Sequence, residues 1–409
     1  MNILLIDRAL PASVFSGKTV RLKNIYGRLA KEMNIFFLRT AQVGEEKESE
    51  ELELWVQTTF QKCLRFSPLA GAKFLPKLLA LLGFRPWYDL YSKYPDQLER
   101  VRRELQAIVA ENEIDLVVTF DNEVAQYGLL LSTMCPWIQD VGDSMVLQVK
   151  RQAKEVKSFR KRSTLWWRAI RESRLEAEMV SKARATIYVA EDDASVYRSR
   201  NGRGIEVIPN GVDTDYFTRE EIVPIRELNP YVVFTGHMSF VPNRETAHFF
   251  ATEILPIVRR AVPNLGFKIV GADPTVDVCE LSKIEGVQVT GRVPDVRPYL
   301  AGALAFVCPM RMGCGIKNKL LEAMAMELPI AATPLAVRGI DGIPPSVVRI
   351  AEDVTAFSTA LIGILKHHTQ TGSVNRQARI FVQECYSWQK TLDSYRRLFQ
   401  NQMEVFSKT

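Results

Sequence analysis

The residues best suited to chemistry cluster between Pro309 and Glu322, in the run Pro-Met-Arg-Met-Gly-Cys-Gly-Ile-Lys-Asn-Lys-Leu-Leu-Glu. Gly313 and Gly315 let a backbone approach a ligand without Cβ clashes. Leu320, Leu321 and Met324 give a helical pattern predicted to run from Ile316 to Glu327, before Pro329. Unpaired N–H groups near Ile316 and Lys317 would favour an anion. Lys317 and Lys319 sit where a helix dipole disfavours cations, unless an anion is bound there. Glu322, three residues past Lys319, can share a face with it and with Asn318. A phosphate joined to a polyol would use all these groups. A solvated helix with one i, i+3 ion pair would look the same.

Two other clusters could contribute. Asp140-Val-Gly-Asp143-Ser144 follows an apolar run, and its two carboxylates could act as acid, base or hydroxyl binder. Either could equally cap the next helix. In the second half, Gly236, Gly271 and Gly291 each close an apolar run.

These residues need a scaffold, and the apolar runs supply one. Runs at 2–7, 35–38, 114–120, 136–141, 185–189, 231–235, 267–270, 287–290, 303–308, 329–332 and 347–350 read as buried strands. Amphipathic helical patterns separate them, for example 96–112 and 244–262. Strand and helix alternation predicts an α/β fold with parallel, doubly wound sheets, whose loops at the carboxyl ends of strands line the ligand crevice. Asn210-Gly211 marks a turn in mid-chain.

A chain of 409 residues suggests two domains. The six cysteines are scattered, without C-x-x-C and with only four histidines in the chain, which argues against zinc or a disulfide framework and for a reducing compartment. No signal peptide is read at the start, because Asp7 and Arg8 end the first apolar run. Net charge is +6, yet residues 147–184 hold twelve Lys/Arg against four Asp/Glu, or +8, leaving −2 for the rest. That segment, with Trp166 and Trp167 in it, suits an acidic partner such as anionic lipid, or a solvated helical face. Residues 60–92, rich in Leu and Phe and carrying Lys and Arg, suit a membrane-surface element or a helical pair. No recognised nucleic-acid module is present.

Gly315-x-x-x-Lys319-x-x-Glu322-Ala323-Met324-Ala325, followed by Pro329, resembles the donor-site signature of glycosyltransferase family 4, and Ile208-Pro209-Asn210-Gly211-Val212-Asp213 resembles its inter-domain hinge. The likeness spans nearly the whole chain, is strongest over 205–335, and is nearest to a bacterial exopolysaccharide and exosortase-associated branch. It implies a GT-B fold: two Rossmann-like doubly wound domains facing a cleft, with an acceptor domain at 1–208, a nucleotide-sugar domain at 209–385, and a terminal helix at 386–409 that crosses back. It implies that Glu322 holds ribose and that Gly236-His237 stands where the family has a Gly-Arg pair for the diphosphate. Arg244 or Lys319 would then supply the missing charge. Arg292 and Val293 would hold the base. Gly17 and Arg21 match an acceptor-side strand–loop–helix, with Asp140 beside them. The first acid of the family's Glu-x7-Glu pair falls at Cys314, a departure.

The expected activity is a retaining transfer of sugar from a nucleotide-diphosphate sugar to a glycan or lipid-linked acceptor, with Glu322, Lys319 and Asp143 as the catalytic set. Gly313, Cys314, Gly315, Ile316 and Lys317 would complete the donor site. No metal or cofactor is expected, since Lys/Arg and helix N–H groups can neutralise the leaving diphosphate. The expected setting is the cytoplasm, peripheral to the inner membrane face. A non-catalytic nucleotide-sugar binder and a sugar-nucleotide epimerase on the same fold are the alternatives.

Overall fold

The computed structural model describes residues 1–8, 17–40, 50–65, 98–156, 158–198, 204–225, 227–313, 315–371 and 374–407. Cys314 and most of the 60–92 segment lie outside these. The chain divides into two compact units, Met1–Pro209 with Thr391–Thr409, and Asn210–Lys390. The last helix, Trp388–Ser407, therefore begins in the second unit and continues in the first.

Among the described residues the first unit holds seven parallel strands: β1 (Asn2–Asp7), β2 (Asn34–Arg39), β3 (Lys62–Arg65), β4 (Leu116–Phe120), β5 (Trp137–Gly142), β6 (Ala185–Tyr188) and β7 (Ile205–Val207). Their order is β3-β2-β1-β4-β5-β6-β7. β1 is central and covered on both faces. Ile3, Leu4, Leu5 and Ile6 are accordingly buried, which is why that strand is continuously apolar rather than alternating. The second unit repeats the plan with β8 (Tyr231–Thr235), β9 (Gly266–Val270), β10 (Val287–Gly291), β11 (Ala305–Cys308), β12 (Ile330–Ala332) and β13 (Val348–Ile350), ordered β10-β9-β8-β11-β12-β13. Each sheet thus winds outward in both directions from its first strand. The reversal falls between β1 and β4 in one unit and between β8 and β11 in the other. One continuous apolar core, built from residues such as Phe234, Phe250, Phe267, Phe306 and Leu321, fills the second unit.

Three local outcomes differ from the sequence expectations. β3 is a strand, although its short Lys-Cys-Leu-Arg run at the sheet edge carries no apolar signature. The helix expected over 244–262 starts earlier, at Val241, and is interrupted by a π-helical turn at Phe250–Ile254. Pro256 explains the break: it has no N–H to donate and its ring crowds the carbonyl four residues back, so the ladder widens ahead of it. The helix expected from Ile316 spans Asn318–Ala325. In the mid-chain turn, Gly211 is required by packing, because a Cβ there would lie 2.5 Å from the Trp388 backbone nitrogen.

Candidate functional site

The second unit gathers its polar residues at the β8/β11 reversal. After β8, Gly236 allows a close approach: a Cβ there would sit 2.7 Å from Asn243 Nδ2 and 2.8 Å from Lys319 Nζ. The Lys319 ammonium fills that space, donating to Asn243 Oδ1 at 2.5 Å and lying 4.4 Å from the centre of the Phe234 ring. Gly271 is needed in turn, since a Cβ there would collide with the Gly236 carbonyl at 1.8 Å. Lys319 and Glu322 are half-buried, each enclosed by protein while keeping some surface to water. Burial lowers the Lys319 pKa to about 8 and raises that of Glu322 to about 7, with each group's charge opposing the shift of the other. The same burial thus shifts two ionisable groups, one turn apart on one helix, in opposite directions.

The helix from Asn318 has no side-chain cap, and since the Leu320 N–H is taken by the Lys317 carbonyl at 2.8 Å, an anion would meet the N–H groups of Asn318 and Lys319. Here the structure corrects the expectation for Ile316 and Lys317. Both precede the helix; Lys317 is extended at the cap position, buried, and its Nζ donates to the Gly315 carbonyl at 2.5 Å. Lys317 therefore braces the loop, and Lys319 carries the accessible charge. Gly313 (φ +122°) and Gly315 (φ +65°) hold backbone conformations that favour glycine, so both are needed to turn the chain from β11 into this helix.

The loops after β8, β9 and β10 complete the rim. His237 Nε2 lies 2.8 Å from Asp273 Oδ2, and its Nδ1 lies 2.9 Å from Ser239 Oγ. Arg292, half exposed, is 3.8 Å from the same Asp273. Val293 packs against the core beside it. Arg244 points elsewhere, pairing with Asp277 at 3.5 Å, so of the two cations expected to replace the missing Arg only Lys319 adjoins Gly236. The sequence reading missed Asn243 and Asp273. Asn243 links the strand loop to the helix, its Nδ2 donating to the His237 carbonyl at 2.9 Å. An Asn shortly after a Pro at a helix start gave no hint of a partner 76 residues away.

In the first unit the expected acceptor-side residues separate. Gly17 opens the helix Gly17–Asn24 with open space around it. Arg21 and Asp140 are buried and paired, NH2 to Oδ1 at 2.6 Å. Tyr26 and Tyr395 hydroxyls donate to Asp140 Oδ2, each at 2.6 Å, and Arg21 also donates to Tyr395 at 2.5 Å. Burial, reinforced by the Asp140 charge, raises both phenol pKa values far above the ordinary range. Asp140 is thus engaged by protein on both oxygens rather than open to a ligand. Asp143 is exposed in the loop after β5, and the cap of the next helix is Ser144, whose Oγ accepts from Leu147. Behind that cap Glu176 accepts from Ser144 Oγ at 2.8 Å. Among the described residues no group of His, Cys, Asp or Glu is arranged to hold a metal ion, and no helix is long and apolar enough to cross a membrane.

Residues 229–367 match the family described as glycosyl transferases group 1. No curated protein matches the chain. Solved structures with GT-B folds do. A sucrose-phosphate synthase from Thermosynechococcus elongatus superposes with a TM-score of 0.64 at 16% identity, covering 100% of both chains. HepE of Anabaena, solved with UDP, gives 0.65 at 13%, covering 98% of this chain and 100% of its own. A glycosyltransferase from Rickettsia africae gives 0.66 at 13%, covering 98% of each.

Proposed function

We propose that this GT-B glycosyltransferase, whose second unit carries the group 1 domain, moves a sugar from a nucleoside diphosphate sugar to a glycan or lipid-linked acceptor with retention of configuration. The observation that carries the donor assignment is the Lys319 ammonium set against Gly236 beside an uncapped helix start, with Glu322 one turn further on. A diphosphate would take the charge of Lys319 and the N–H groups of Asn318 and Lys319, and would raise that lysine's pKa. The ribose hydroxyls would meet Glu322. Arg292 suits stacking on a flat base, and backbone groups at Val293 would fix its edge. His237, Gly313, Gly315 and Ile316 would frame the diphosphate and sugar, and Lys317 keeps their loop in shape. Catalysis then consists of positioning and of stabilising the leaving diphosphate. The chain's own cations serve that purpose, so the reading needs no metal or cofactor.

Asp143 serves the acceptor side from the loop after β5. Gly17 opens the neighbouring helix, while Arg21 and Asp140 act as scaffold. The acceptor is part of bacterial polysaccharide synthesis at the cytoplasmic face of the membrane. The helix Phe159–Lys182 supports a membrane contact: Phe159 is 74% exposed, and Trp166, Trp167 and Ile170 are each more than 40% exposed among arginines and lysines. Phe159, Trp166 and Ile170, at i, i+7 and i+11, share one face. Sedimentation with phosphatidylglycerol vesicles checks this; pelleting with them but not with phosphatidylcholine vesicles is expected.

A non-catalytic binder is the second reading, favoured by Cys314 standing where the first acid of the pair is expected. A thermal-shift screen against UDP-, GDP-, ADP- and dTDP-sugars tests donor binding, because a ligand of the folded state raises its melting temperature. UDP is the first to try, given HepE. Release or transfer of sugar from the stabilising donor then separates enzyme from binder.

A further inference from the structure

The second sheet is ordered β10-β9-β8-β11, so its carboxyl edge sets four side chains in a row. Arg292 follows β10, Asp273 follows β9, His237 follows β8, and Lys319 stands on the helix after β11. Donor binding employs the three that can carry positive charge. It leaves Asp273, an acid in the middle of an edge assigned to a diphosphate, without a role. Like charges side by side weaken binding, so the acid works against the ligand of its own site.

The backbone holds these loops against one another. The Gly236 N–H donates to the Val270 carbonyl at 3.1 Å, Met238 N–H to the Ala272 carbonyl at 2.8 Å, and Gly271 N–H to the Gly291 carbonyl at 3.2 Å. Asp273 itself turns the chain at φ +52°. Its side chain is 57% exposed and that of His237 37%, so a ligand can reach both.

The imidazole shows what the acid does. A carboxylate only accepts, so the proton on His237 Nε2 faces Asp273 Oδ2, 2.8 Å away. An acid that aimed the ring at a ligand would leave the other nitrogen turned outward. Instead Nδ1 is engaged by Ser239 Oγ at 2.9 Å. Both ring nitrogens are thus taken by the protein. The Arg292 guanidinium is drawn to the same Asp273 oxygen, at 3.8 Å. Asp273 therefore stands where an anion would stand, and a phosphate oxygen that takes the Nε2 proton must displace it.

We propose that Asp273 is a built-in competitor of the diphosphate, giving up His237 when the donor binds and retaking it as the spent nucleotide leaves. This role rests on the donor reading above and limits how tightly that site holds its ligand. Such a limit has a use, because release of product rather than chemistry sets the turnover of many enzymes.

Calorimetric titration of UDP into wild-type, Asp273→Asn and Asp273→Gly chains tests it. Asn and Gly both accept a positive φ, so neither change strains the backbone, and melting temperatures confirm that both variants are folded. Each is expected to bind UDP about two- to fivefold more tightly than wild type, the scale of one exposed ion pair. The gain is expected to fade at high ionic strength, where exposed charges are screened. In a His237→Ala background the Asp273→Asn change is expected to gain less. Equal or weaker UDP binding by either folded variant, or a gain of the same size without His237, overturns the competitor and leaves the donor site standing. Failure of UDP, GDP and ADP alike to bind the wild type overturns the donor reading and the competitor with it.

Discussion

The two reversal points of this molecule have the same topology and opposite chemistry. At β8/β11 the first strand is followed by Gly236, a lysine from the helix after β11 fills the gap, and the start of that helix has no side-chain cap. At β1/β4 the first strand ends in Asp7, a lysine again reaches it, but a second acid stands across from it. One edge is short of negative charge and the other has it in excess. A fold that places loops identically can therefore set opposite charge at equivalent sheet edges with only a few changes of residue type. A third cluster, around Asp140, shows what a finished structural network looks like: both carboxylate oxygens are occupied by protein donors.

That contrast predicts a ranking of mutational effects. Asp140→Ala should be the most damaging to the fold, because it leaves Arg21 buried without a counter-charge. About 3–5 kcal/mol of stability is expected to be lost, on the scale for breaking a buried pair. Urea unfolding of the first unit measures it, and a loss near zero would dissolve the distinction between network and site. Glu322→Ala should do the reverse. Its nucleotide-sugar affinity should fall by about 1–3 kcal/mol, the scale of charged hydrogen bonds, with no loss of stability.

The pH behaviour of the two groups sharpens this. Burial raises the folded-state pKa of Glu322 to about 7, so its ionisation costs stability increasingly from its ordinary pKa up to that value. Glu322→Gln should therefore unfold later than wild type at pH 8 and alike at pH 4. Lys319 is depressed to about 8, so its charge costs stability below that pH and the cost is relieved above it. Affinity for UDP should accordingly drop by roughly tenfold, about 1.4 kcal/mol, between pH 7 and pH 9, and Lys319→Met should abolish that slope. The smallest effect belongs to the first unit. Asp121 stands at φ +88°, where glycine is favoured. Asp121→Gly should gain about 1 kcal/mol, because relief of strain exceeds the few tenths lost with its capping bond; thermal unfolding reads it.

Much of the fold was legible because buried parallel strands are continuously apolar. β8 was read to the residue, and the other strands of the second unit to within two residues. β3 was not, since an edge strand of Lys-Cys-Leu-Arg buries too little to leave a pattern. The helix at Asn318 was read two residues early because Ile316 and Lys317 are helix-compatible residues held extended by the loop they close. Within the site, Lys319 and Glu322 were visible through their spacing. The Arg21–Asp140–Tyr395 network was not, because its members lie up to 374 residues apart and only the fold brings them together. Asp273 escaped notice for a related reason: its partners His237 and Arg292 stand on the loops of two other strands.

The central claim is that the β8/β11 edge takes a nucleoside diphosphate through Lys319 and the helix that carries it. Calorimetric titration of UDP into wild-type and Lys319→Met chains at pH 7 tests it most directly. Saturable binding by the wild type, weakened at least tenfold in a variant whose melting temperature is unchanged or higher, is the predicted result. Equal affinity in the two chains, or no binding of any nucleoside diphosphate to the wild type, would contradict it.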